Sequence, residues 1–264
     1  MRLFHAIKLF GAFAACSLKA DLEYRINFVS GILAEAGYML VKLLYLLFIY
    51  QAGAVIGGLS PDNIALFIGT YMLMTGFYMM FYPNVWELQH SIKDGSLDLL
   101  LTKPVPIAFI ATIRRLDFGM PLIDILAGSI VIVFGWSRSG IPVTVQTIAG
   151  FLFFMLIGIL ITYFILVIPR LAAFWFTSTT GISQIADALW DFNNMPMTVY
   201  GTHIRRAGTF IIPIFIITNF PALFALQKLP LAYGLWGISA PFLLRLLSRA
   251  LWNAGLKRYG SSNM

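Results

Sequence analysis

Apolar residues in this chain come in long, nearly unbroken runs, not at the two- or three-residue spacing of an amphipathic soluble fold. A helix needs about 20 such residues to cross the hydrocarbon of a bilayer. Five stretches supply them, at 27–50, 63–83, 119–136, 144–168 and 207–226. A sixth, about 230–250, is apolar as far as Leu244 and then meets Arg245 and Arg249. Those arginines are four apart, on one face of the last turns, where long cationic side chains reach the aqueous boundary. The stretch 170–200 fits less readily. Its run LAAFWFTSTTGISQIADALWDF is aromatic and apolar, but Thr177 to Thr180, Gln184, Asp187 and Asp191 interrupt it. Counted as a crossing it gives seven spans; as an interfacial or re-entrant helix it leaves six.

Before the first span, Leu3, Phe4, Ile7, Phe10, Ala14 and Leu18 recur at helical spacing among Lys8 and Lys19. That pattern predicts an amphipathic helix over 1–26, lying on the cytoplasmic face, with no cleavable signal peptide. A membrane insertion there would bury both lysines.

Charge placement separates six spans from seven. With six, Arg2, Lys8, Lys19 and Arg25 share a side with Lys93, Lys103, Arg114 and Arg115. Arg170, Arg205, Arg206, Arg245, Arg249, Lys257 and Arg258 fall on that side too. Only Arg138 and Lys228 lie opposite, and Lys42 is inside the first span. Fifteen against two follows the positive-inside rule, so both termini, 84–118 and 169–206 are expected in the cytoplasm. The fold class expected is an all-α membrane protein, one permease-like domain over 1–264 with six transmembrane helices. No 20–50-residue repeat is visible, and secondary transporters are commonly built on such duplications.

Composition agrees: 59% of residues are hydrophobic and 11% charged, against about 25% charged in soluble chains. The net charge of +7 does not make a nucleic-acid-binding module of such a chain, and no nucleic-acid partner is expected. The one cysteine, Cys16, excludes an internal disulfide and reads as a small packing residue.

Candidate chemistry is sparse. His5, His90 and His203 are scattered, and no GxSxG or GxxxxGK[ST] occurs, so neither a catalytic residue set nor a metal site nor a phosphate loop is expected. Energy for any transport must come from an ion gradient or a partner. Charges within spans are costly. Glu35 lies about 12 Å into the first span and Lys42 nearly two turns further on a similar face. With Asp124 in the third span, these could serve an ion-coupled transporter or channel, or simply be charges satisfied by neighbouring helices. An intramembrane enzyme would need Asp117, Asp124 or the histidines clustered, and the sequence offers no such cluster.

The 84–118 loop is the most informative segment. NVWELQHSIK carries Trp86, Leu88 and Ile92 among polar residues, turns at Asp94-Gly95, and runs through Leu97–Leu101 to Lys103-Pro104. An amphipathic helix on a cytosolic loop calls for a docking partner, or for lipid headgroups to lie on. In the fifth expected span, Pro213 and Pro221 stand eight apart with Asn219 between them, which predicts a bent or broken helix.

The run GSLDLLLTKPV at 95–105 resembles a signature of permease subunits in the type 2 ATP-binding-cassette exporter family, in its bacterial branch of chains near 260 residues. The ending WNAGLKRYGSS at 252–262 is similar to that family's closing pattern, and Pro196, Tyr200, Pro213 and Pro221 accompany it. The family's usual Tyr-Pro stands here as Met195-Pro196. The resemblance implies a half-transporter in the bacterial inner membrane. Two permeases would pair, each engaging a cytosolic ATPase encoded separately, with ATP and Mg held by that partner and no cofactor in this chain. It also implies a coupling helix over about 84–101, including Trp86, Glu87, Leu88, Lys93, Asp94, Gly95 and Asp98. The route would run along the second and fifth spans, where Phe67, Tyr71, Met74, Tyr78, Pro213, Phe215, Asn219 and Phe220 are the candidates. Aromatic and methionine walls suit a hydrophobic or amphipathic cargo such as a lipid, drug or peptide.

Overall fold

A computed structural model describes residues 3–262; Arg2 lies outside them. Helices α1 (Leu3–Glu23) and α2 (Arg25–Ala52) meet at Tyr24, so α2 begins two residues before the expected span. It ends at Gly53, whose left-handed φ of 59° lets its N–H close on the Ile49 and Tyr50 carbonyls. α3 (Pro61–Phe81) opens with Pro61 in its first turn and Ser60 accepting from the Asn63 N–H. A short run follows: α4 (Pro83–Lys93), α5 (Leu97–Leu101) and α6 (Ile107–Ile113). Next come α7 (Gly119–Arg138) and α8 (Val145–Arg170), the latter opened by a Thr144/Thr147 capping box. α9 (Thr180–Trp190), α10 (Thr202–Arg206), α11 (Ile214–Ala225) and α12 (Leu231–Ser262) complete the chain, and no strand occurs among the described residues. Five helices are long and apolar enough to cross a bilayer: α2, α3, α7, α8 with the turn after it, and α12.

The bundle is built on α3 and α7. A Cβ on Gly128 would stand 2.6 Å from the Leu73 amide nitrogen, and one on Gly69 would stand 2.7 Å from that of Ile132. Only glycine allows these antiparallel backbones to touch, and in lipid such contact replaces the missing hydrophobic drive between helices. α1 is tied to the start of α7, because the Leu116 N–H donates to Ser17 at 3.0 Å and the Phe118 N–H to Asp21 at 3.1 Å. The exposed side of α1 carries Cys16, which is therefore not the packing residue expected.

The stretch after α8 departs from expectation. Ser183 on α9 bonds Gln89 on α4, at the Phe81 end of α3. Asp187 pairs with Arg170, and Trp190 stacks on Tyr78 at 4.6 Å. Further on, Met195 meets the Tyr45 hydroxyl, and Thr198 lies against Gly57 in the loop at the other end of α3. Residues 180–199 thus run the length of the bundle instead of lying along one end of it. The stretch 207–226 does not form one straight span: Thr202–Ile211 and Ile214–Ala225 meet at 99°. The expected break is real, and it falls at Ile212-Pro213, where Pro213 has no N–H to continue the ladder and Ile212 is extended. Pro221, by contrast, sits inside α11. At 1.5 Å per residue, α11 rises only about 18 Å, too little to cross about 30 Å.

Candidate functional site

α4 carries two faces. Val85, Leu88 and Ile92 are buried against Leu97, Leu100, Ile110 and the end of α8, so the helix is seated in the core. Trp86, Glu87, His90 and Lys93 face outward. The turn to α5 needs Gly95, at φ 81°, and Asp94 closes it by accepting from the Ser96 N–H at 2.9 Å. That bond holds the Asp94 carboxyl below its ordinary range. Asp98 and Leu99 continue the exposed rim. Leu88, 1% exposed, supports this platform from beneath and presents nothing to a partner. Two contacts brace the seat from behind. The Tyr259 hydroxyl donates to the Gly95 carbonyl at 3.2 Å, and Phe174 packs its ring against both Trp252 and Tyr259. Arg170, 1% exposed, donates to the Leu166 carbonyl and holds Asp187 at 2.7 Å, fixing α9 to the end of α8.

A second constellation lies within the bundle. Lys42 of α2 donates to Asp124 of α7 at 3.1 Å; their side chains are 23% and 0% exposed. Glu35, buried seven residues before Lys42, stands beside the same carboxyl. Asp124 Oδ2 still lacks a hydrogen bond of good geometry. The Lys42 ammonium also lies 5.4 Å from the Tyr71 ring centre. Two carboxyls and one ammonium, spaced along two helices, therefore form a single buried cluster.

Residues 36–263 match the family model described as ABC-2 family transporter protein. The chain belongs to the ABC-2 transporter family. No curated protein and no solved structure matches it. The match spans the platform, Lys42 and Asp124 of the ion cluster, and both blocks that carried the resemblance. The fold brings those blocks together, since Gly95 begins one and Tyr259 lies in the other. Membership makes this a multi-pass membrane protein of transport, of a family whose permeases are generally non-catalytic and work with ABC ATPases.

The pathway candidates of this ABC-2 chain are placed differently from the coupling candidates. Phe67 packs among Met39, Ile49 and Ile64; Met74, Phe215 and Phe220 belong to the core between α8 and α11. All four, and Asn219, are buried inside the single chain, so none of them lines an open route in it. Asn219 accepts from the Met197 N–H at 2.7 Å, while the neighbouring Thr218 donates to Asn193 at 3.0 Å. These polar groups clasp 193–197 to α11; their burial is structural. Tyr71 and Tyr78 are half-buried, and Pro213 marks the break. Sequence reasoning missed the brace of Phe174 and Tyr259 and the Asn193–Thr218 contact. Asp187, read as an interruption, pairs with Arg170, and Asn219, read as a route residue, holds the Met197 N–H.

Proposed function

We propose that this chain is the permease half of an ATP-driven exporter, pairing with a second permease and engaging a separate cytosolic ATPase that holds ATP and Mg. One observation carries the reading: a short two-helix platform, seated on a core base, holds an aromatic and charged rim at the surface, with Trp86 backed by Tyr78 and Asp94 closing the turn. Trp86, Glu87, Lys93, Asp94, Asp98 and the turn at Gly95 form that docking face. Rigid presentation matters because a flexible loop would absorb the partner's motion before it reached α3 and α8. The cargo proposed is hydrophobic or amphipathic, supported by bilayer-depth faces of α2 and α12 rich in leucine and aromatic residues.

The distribution of basic residues and the path of 180–199 support a revised topology. Both termini and 84–118 are cytoplasmic, 180–199 is the fifth crossing, and the bent pair over 202–225 enters the bilayer from the outside. Arg205 and Arg206 then join Arg138 and Lys228 outside, and thirteen basic residues against four still obeys the charge rule. A cell membrane is the setting proposed.

Co-purification with the candidate ATPase tests the docking face. Glu87→Lys and Asp98→Lys should each weaken association by about 2–5 kcal/mol, the range for a disrupted desolvated charge contact, with insertion and permease pairing unchanged. Full association in both variants refutes it. The Glu35–Lys42–Asp124 cluster favours a second reading, an ion-coupled route. Transport that persists without the ATPase, and is lost in Asp124→Asn, would replace the first reading with this one.

A further inference from the structure

A groove of about 690 Å³ opens between α6, α8 and α12, and none of the rim residues of α4 and α5 lines it. Its mouth carries Arg245, Ser248 and Arg249; its walls include Leu160, Phe164 and Trp252. No acidic residue lines it, and neither arginine has an ion-pair partner among the described residues. Trp252 is 6% exposed, and its indole N–H is buried with no hydrogen-bond partner. The two arginines are one turn apart on α12, so both guanidinium groups reach the same mouth.

Depth identifies the occupant. At 1.5 Å per residue, Arg245 and Arg249 lie about 21 Å and 27 Å along α12 from its start. Arg249 is thus just short of the far boundary of a hydrocarbon layer about 30 Å thick, and Arg245 lies a turn deeper, within reach of it by its long side chain. A fully soluble anion would have to leave water to enter an apolar groove there. An amphiphile already in that leaflet would not, and its phosphate would meet two unpaired guanidinium groups suited to phosphate recognition.

We propose that this groove is a binding site for an anionic phospholipid of the cytoplasmic leaflet, with the phosphate held by Arg245 and Arg249 and an acyl chain laid along Leu160 and Phe164. The site is independent of what the transporter carries and of which ATPase drives it. Because α12 also carries the Tyr259 brace under Gly95, lipid at this site stiffens the helix that supports the α4–α5 platform.

The test uses the full chain in nanodiscs and native mass spectrometry, comparing phosphatidylglycerol with phosphatidylcholine of the same acyl chains. Wild type should retain phosphatidylglycerol preferentially. Arg245→Gln with Arg249→Gln should lower that retention by about thirtyfold, from about tenfold per 1.4 kcal/mol and about 1 kcal/mol for each basic residue near an anionic surface. Lys103→Gln with Lys257→Gln removes the same charge outside the groove and should leave the preference intact. Should the paired glutamine variant not fold, Leu160→Trp fills the apolar wall while keeping both arginines, and should bring phosphatidylglycerol retention down to that of phosphatidylcholine. Equal retention of both lipids by wild type overturns the proposal. So does a glutamine pair, or a folded Leu160→Trp chain, that retains phosphatidylglycerol like the lysine control. Displacement of the lipid by glycerol phosphate at equal concentration would make this a soluble-anion site and overturn it too.

Discussion

Replacing Lys42 with methionine keeps most of the length of the side chain and removes its charge, leaving Asp124 and Glu35 buried with no cation. At 3.1 Å and an effective dielectric constant of about 20, the Lys42–Asp124 attraction is about 5 kcal/mol gross. Desolvation of both ions offsets much of that in the intact pair, so the net worth of the bridge is small. Breaking it is another matter. An uncompensated carboxylate at a fully buried position costs about 3–5 kcal/mol, and Lys42, at 23% exposure, leaves little room for water to replace it. At about 2–4 °C per kcal/mol for a chain of this size, Lys42→Met should lower the unfolding midpoint by about 6–20 °C. Adding Asp124→Asn should recover most of the loss, because the fully buried carboxylate is then gone and Glu35 no longer faces a like charge. Tryptophan fluorescence during heating in detergent reads both midpoints, at low and high salt. Added salt should change little, since buried pairs are poorly screened. A Lys42→Met chain as stable as wild type, or a double variant less stable than the single one, would refute the reasoning.

Gly128→Leu should cost about 3 kcal/mol or more by forcing α3 off α7, whereas Gly37→Leu, with open space around its Cβ, should fall within about 0.5 kcal/mol of wild type in the same melt. Asp117 is held above its ordinary 3.8 chiefly by burial, with Asp21 adding to it. Its contribution to stability is therefore present below that ordinary value and lost as pH rises through the raised one, so Asp117→Asn should raise the melting midpoint at neutral pH and flatten its pH dependence; an unchanged profile refutes this. In a chain whose Cys16 is replaced by alanine, Ile204→Cys should react with an impermeant thiol reagent from outside and Lys93→Cys only after permeabilisation. Protection of position 204 in sealed cells would return Arg205 and Arg206 to the cytoplasm.

The sequence by itself determined the all-helical membrane class, the placement of α2, α3, α7, α8 and the start of α12, and the break before α11. These are local consequences: run length against bilayer thickness, and proline against the hydrogen-bond ladder. The amphipathic pattern of α4 was legible for the same reason, although pattern alone did not assign Leu88 to the buried face that supports the rim. Tertiary structure decided what depends on distant partners. Asp124 joins Lys42 across 82 residues, because glycines on α3 and α7 let the backbones close and bring α2 alongside. Tyr259 reaches Gly95 across 164 residues. The stretch 180–199 runs the length of α3, held where Arg170 meets Asp187, Thr218 meets Asn193 and Asn219 takes the Met197 N–H, and hydropathy, which scores each residue as though it faced lipid alone, gives no credit for such partners.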